Sequence, residues 1–136
     1  MTLKPINPET LGPLRGYSNG VLADAGGRVL FVAGQVAWNK TQTIVSENFV
    51  KQFDRALENV IAVVTEAGGS PNQIARLVIY VTDKKEYKLS LKEIGETYRA
   101  RMGKHYPAMV LVEVQDLLED KAKVEIEAVA ILEARM

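Results

Sequence analysis

Three short stretches of this chain, "RVLFVAG", "RLVIYV" and "MVLVEV", are apolar at nearly every position. Side chains of a β-strand alternate between the two sides of its sheet. In the first stretch Val29 and Phe31 point one way, Leu30 and Val32 the other. In the second, Leu77, Ile79 and Val81 oppose Val78 and Tyr80. In the third, Val110, Val112 and Val114 oppose Met109, Leu111 and Glu113. Strands of this kind need cover on both faces. The chain offers two helical segments, expected on the same side, and they cover one face. The face left over would be an apolar patch larger than soluble monomers carry. The pattern therefore calls for a homo-oligomer that packs sheet against sheet. The competing cover is the chain's own residues 1–16, a short and polar segment.

The rest of the chain supplies the other elements. Residues 1–16 hold Pro5, Pro8 and Pro13 with Gly12 and Gly16, and are expected to form an irregular lead-in. "GVLADAGGRVLFVAGQVAW" reads as two strands joined at Gly26-Gly27, a hairpin signal. "SENFVKQFDRALENVIAVVTEAGG" is the clearest helix, with Ser46 as its expected cap and Glu47 beside its positive end. Phe49, Phe53, Ala56, Leu57, Val60, Ile61 and Val64 recur at helical spacing, and Gly68-Gly69 with Pro71 stop the helix. "ARLVIYVTD" follows as a strand. "EYKLSLKEIGETYRARMG" is a second helix with Tyr87, Leu91, Ile94 and Tyr98 on its buried stripe. Gly95 weakens that helix by about 1 kcal/mol relative to Ala. "AMVLVEVQDLL" and "AKVEIEAVAILE" are the last strands. The expected order is β-β-α-β-α-β-β, one α/β domain over residues 1–136 with a sheet packed on two helices.

Composition removes several function classes. Lys plus Arg is 17 and Asp plus Glu is 17, a formal net charge of +0. No basic footprint for nucleic acid follows from that balance. There is no Cys, which excludes disulfides, thiol catalysis and thiolate metal sites. A single His argues against a histidine-rich metal site, and neither metal nor cofactor is expected. No apolar run approaches the roughly 18 residues of a membrane span. The amino-terminal "MTLKPINPETLGPL" has no apolar leader region. A soluble, cytoplasmic protein with no membrane partner is expected.

Candidate chemistry is sparse. "AGGSPNQ" lacks the Lys of a phosphate loop, and His105 has no paired nucleophile. What stands out is a set of carboxylates on otherwise apolar strands: Glu113, Glu125 and Glu127. Glu125 and Glu127 lie two apart and share one face. A carboxylate facing a subunit seam must pair, protonate or hold water. Pairing with Lys or Arg across an interface is the structural alternative to a catalytic role.

Six stretches in order, "GYSNGV", "LFVAGQVAW", "QFDRALENVIAVVTEAGGS", "IARLVIYVTD", "YPAMVLVEV" and "VEIEAVA", resemble the RidA family, also called the YjgF or L-PSP family. The resemblance runs from about Pro13 to Ala130. It implies a chorismate-mutase-like α/β fold, a homotrimeric barrel and small-molecule clefts between subunits. It also implies hydrolysis of reactive enamines and imines such as 2-aminoacrylate, releasing ammonia and a 2-keto acid. By position, Tyr17 corresponds to the family tyrosine that closes the cleft. Glu125 corresponds to the catalytic glutamate that positions water. Ala33, Gly34 and Gln35 form the substrate-contacting turn, with Ala33 where a serine is common. Lys92 stands where the family has an asparagine.

The departure is Met109, which occupies the place of the family's carboxylate-binding arginine. A methionine cannot make the arginine's two parallel hydrogen bonds. Losing such a partner costs about 2–5 kcal/mol. Reduced or absent 2-aminoacrylate deaminase activity is therefore expected, with an imine, a keto acid or another carboxylate as the ligand. Met109 itself would make the cleft more apolar and adaptable. Arg101, Lys104, His105 and Lys92 are the candidates for a substitute cation, and His105, two residues before Pro107, is the one expected to line the cleft. The alternatives are a non-catalytic metabolite-binding or regulatory module and, with less support from the neutral charge, the endoribonuclease or translation-inhibitor activity attached to the family's older name.

Overall fold

The computed structural model describes residues 3–24 and 26–134. β1 (Leu3–Ile6) pairs antiparallel with β2 (Gly20–Ala23) in a small two-stranded ribbon. There follow β3 (Arg28–Gln35), α1 (Phe49–Glu66), β4 (Ile74–Val81), α2 (Lys84–Leu89), α3 (Leu91–Met102), β5 (Ala108–Glu113) and β6 (Val124–Leu132). The main sheet has the order β3-β6-β4-β5. β6 runs antiparallel to both β3 and β4, and β4 runs parallel to β5. That parallel pair requires a crossover, which α2 and α3 supply.

Three expectations change. The lead-in is not wholly irregular, because Leu3–Ile6 finds a partner in β2. β2 and β3 are not hydrogen-bonded neighbours, so Gly26-Gly27 does not close a hairpin. Each of the two strands has found a better partner, β1 for one and β6 for the other. The second helix is two helices. Ser90, at φ −110° and ψ 15°, breaks it, and Asp83 caps the first piece by accepting from the Lys85 and Glu86 amides. The Glu113 carboxylate accepts from the Lys84 amide at 2.9 Å and joins β5 to that same helix start.

α1 is capped by Asn48 rather than Ser46. The Asn48 side chain accepts from the Lys51 amide at 2.9 Å, while Ser46 Oγ accepts from the Asn48 amide one step earlier. The helix ends before Gly68, whose φ of +90° suits a residue without Cβ. Its apolar stripe is buried as the spacing predicts: Phe49, Phe53, Ala56, Leu57, Val60 and Val64 all lie in the core. Burying each large side chain contributes about 1.5–3 kcal/mol. Gln52 sits in the same stripe and is fully buried. Its amide donates to the Ser46 and Lys121 carbonyls and accepts from the Lys123 amide, so no polar atom is orphaned.

α1 and α3 pack on one face of the sheet, against Val32, Leu77, Ile79, Val81, Val124 and Ile126. Ile94, Tyr98 and Met102 are the buried residues of α3, while Leu91 is more than half exposed. The other face stays bare. Phe31 is 77 % exposed, Val29 54 %, Val110 41 % and Val112 39 %. The amino-terminal segment does not cover it.

Candidate functional site

The residues singled out in the sequence fall into two groups, on opposite sides of the sheet. The first surrounds a cavity of about 530 Å³ between α3 and the start of β5. Phe53, Ile79, Met109 and Leu111 form its apolar floor, and Tyr17 stands in its wall. The segment carrying Tyr17 is tied to β5 by two hydrogen bonds. The Ser18 amide donates to the Pro107 carbonyl at 3.1 Å and Ser18 Oγ donates to the Tyr106 carbonyl at 2.6 Å. That tether places Tyr17 beside the strand that presents Met109. Met109 is opposite Leu77 in the β4–β5 register and half-buried against the core.

Aromatic side chains stiffen the same wall. Tyr98 stacks on Tyr106 with ring centroids 5.4 Å apart and planes 12° from parallel. The Tyr98 hydroxyl donates to the His105 carbonyl at 2.7 Å. Burial, with the neighbouring Tyr106 adding to it, pushes the Tyr98 phenol well above its ordinary range. Tyr87, also raised by burial, meets Phe49 edge-on at 6.4 Å.

The second group lies on the bare face. Glu125 is opposite Tyr80 in the β4–β6 register, and its side chain lies across the Gly34 backbone. A Cβ at residue 34 would come within 2.9 Å of the Glu125 carboxyl carbon. The glycine of the Ala33-Gly34-Gln35 turn is therefore what gives this carboxylate its place. Gln35 turns back and donates to the Ala33 carbonyl at 3.1 Å. Glu127 shares the face and accepts from the Tyr80 hydroxyl at 2.7 Å. That hydrogen bond is the main reason the Tyr80 phenol is raised.

Met109 with Tyr17, and Glu125 with Ala33, Gly34 and Gln35, are thus separated by the sheet. The cavity that Met109 lines does not include Glu125. The two groups can meet only where one copy's bare face approaches another copy's cavity.

The candidate cations sort differently from their order in the sequence. The Arg101 guanidinium is engaged by Asp54, at 2.5 and 3.1 Å, and by Glu58 at 3.7 Å; the Asp54 hydrogen bond raises its pKa further. Lys92 is exposed and does not line the Met109 cavity. His105 Nε2 donates to the Ile74 carbonyl at 2.7 Å, and the residue borders two neighbouring cavities instead. Lys104 borders one of those. The cations that do line the Met109 cavity are Arg15 and Arg99, which the sequence reading passed over. A signal existed for Arg99: it lies four residues after Gly95 and eight after Leu91, on the stripe of α3 that faces the cavity.

Among the described residues no group of three acidic or histidine side chains could hold a metal ion, and no helix is long and apolar enough to cross a membrane. Residues 8–132 match the family model described as endoribonuclease L-PSP. A 2-iminobutanoate/2-iminopropanoate deaminase of Salmonella typhimurium is 33 % identical over 127 residues, 91 % of each chain. The crystal structure of a Rid-family protein of unknown function from Yersinia pestis superposes with a TM-score of 0.86 at 33 % identity, covering 97 % of this chain and 100 % of that one. The Escherichia coli protein TdcF with bound serine matches at 31 % identity and a TM-score of 0.66, over 88 % of this chain and 91 % of that one.

Proposed function

The chain belongs to the L-PSP family, also called RidA or YjgF, and from that premise we propose that it is a cytoplasmic homotrimer with small-molecule clefts at its subunit interfaces. Each cleft takes a 2-imino acid or its enamine. Water adds to the C=N carbon, the C–N bond breaks, and ammonia and a 2-keto acid leave. Glu125 holds and orients the water. Tyr17 and the Gly34-Gln35 backbone contact the substrate. Met109 leaves the cleft without the family's arginine, so hydrolysis of 2-aminoacrylate is weak or absent.

The observation that carries this reading is the division of the site. Tyr17 and Met109 border one cavity, while Glu125 lies over Gly34 on the opposite, uncovered face. A site whose halves lie on two sides of one sheet is complete only between copies. The balance of 17 basic and 17 acidic residues speaks against the ribonuclease of the family model's description.

The test is ammonia and keto-acid release from freshly generated 2-aminoacrylate, corrected for the spontaneous rate, for wild type beside Met109→Arg. The expected result is a rate near background for wild type and acceleration by the variant. Clear acceleration by wild type would overturn the loss of activity. A ligand bound tightly and recovered unchanged, with no turnover by either protein, would replace the enzyme by a metabolite-binding module.

A further inference from the structure

The cavity beside Met109 is not without positive charge. Arg15 and Arg99 line it, and no acidic side chain does. The adjoining cavity shares Tyr17 and Arg99, adds Lys104, and is also free of acidic lining. In a chain of zero net charge, this is a local positive field with no acidic side chain lining it. Among the described residues neither Arg15 nor Arg99 has an ion-pair partner, whereas the nearby Arg101 has two.

Arg99 is also aimed. A helical side chain leans toward the turn before it, and here that turn carries Gly95. The Arg99 guanidinium lies back over that glycine, 3.1 Å from where a Cβ would stand. Gly95 lines the cavity too. A residue that weakens the helix is thus the one that leaves room for the guanidinium at the cavity's edge.

We propose that Arg99, assisted by Arg15, is the carboxylate anchor of this protein, and that the cavity selects 2-imino and 2-keto acids with a bulky apolar side chain. The displaced anchor sits on α3 rather than on β5. A carboxylate held there leaves the ligand's body over Met109, Phe53, Ile79 and Leu111. Those side chains give a three-carbon ligand little to hold and give an aromatic or branched one a dry floor. The cavity's 530 Å³ is within the range of small-molecule sites, about 300–1,000 Å³. The inference rests on reading the Met109 cavity as the ligand cleft of the function proposed above.

The experiment is calorimetric titration with phenylpyruvate, pyruvate and phenylacetone, using wild type, Arg99→Gln and Arg99→Lys. Phenylpyruvate should bind wild type about tenfold or more tightly than pyruvate. Arg99→Gln should weaken phenylpyruvate by about tenfold, with Arg99→Lys in between, because Lys keeps the charge and loses the fork. Phenylacetone, which has the ring and no carboxylate, should bind all three proteins alike. Equal binding of pyruvate and phenylpyruvate, or indifference to Arg99→Gln, overturns the inference. Ammonia release from the imine of phenylalanine, generated by an amino-acid oxidase, separates the two readings. Arg99-dependent binding without hydrolysis retires the deaminase and keeps the anchor. Hydrolysis of imines with Arg99 irrelevant keeps the deaminase and retires the anchor.

Discussion

The two faces of the four-stranded sheet are made of the same kinds of residue and end in opposite conditions. On one face Leu77, Ile79, Val81, Val124 and Ile126 disappear under α1 and α3. On the other, Phe31, Val29, Val110 and Val112 remain in solvent, and Glu125 and Glu127 stand among them. The first face is finished by the chain itself. The second has an apolar field with carboxylates set into it, and in the proposed trimer it is where another copy packs. The division also separates the chemistry, since Met109 belongs to the finished face and Glu125 to the unfinished one.

The sharpest way to break this comparison is Phe31→Glu. In the proposed trimer it should abolish assembly, read as a fall to monomer mass by sedimentation equilibrium, while the isolated chain loses no more than about 0.5 kcal/mol. An unchanged mass would mean that the bare face is not the seam. On the finished face, Leu57→Ala should cost about 2–5 kcal/mol in urea unfolding, because Leu57 is completely enclosed. A cost below about 1 kcal/mol would show the core to be far softer than native packing.

Tyr98 gives a smaller effect with a pH signature. Its folded phenol is raised by burial. Above about pH 10 an unfolded chain has released this proton while the folded chain keeps it. The unfolded state then binds fewer protons, so stability falls as pH rises. The urea midpoint of wild type should drop on passing from about pH 9 to pH 11. Tyr98→Phe should cost about 1 kcal/mol at neutral pH, for the lost bond to the His105 carbonyl, and should flatten that drop. The slope that remains belongs to Tyr87, raised by burial as well, and to Tyr80, raised by its bond to Glu127. The smallest effect is the most pointed. Gly95→Ala should stabilise α3 by up to about 1 kcal/mol and weaken phenylpyruvate binding, because its methyl group meets the Arg99 guanidinium. Stability and binding moving together would remove the reason given for the glycine.

Much of this was legible in the residues. The two-sided apolar strands and the stripe of α1 follow from periods of 2 and 3.6, and both faces behave as those periods require. The pairing of strands was not legible. Alternation fixes which side a residue takes within its own strand and says nothing about the neighbour, so "AGGR" passed for a hairpin although β6 is the partner of β3. For the same reason the placement of Met109 and Glu125 on opposite sides of the sheet could not be read from the residues. Their opposite sides follow from register, in which Met109 meets Leu77 while Glu125 meets Tyr80. Arg101 drew attention by lying near the strand in sequence, yet Asp54 on the facing helix claims it. Gln52 hid within an apolar stripe because two of its three partners, Lys121 and Lys123, come from a segment about seventy residues away.

The sheet order has a consequence for how the molecule is made. β6, which follows both in sequence, lies between β3 and β4 and is what joins them into one sheet. During synthesis each of those two strands waits with an open edge until residues 124–132 have emerged. Folding then begins from contacts distant along the chain, a topology that slows it. Removal of residues 124–132 would take out the middle of the sheet rather than its margin. β6 is therefore the keystone, and a chaperone that shields the unfinished edges would be needed most just before that strand emerges.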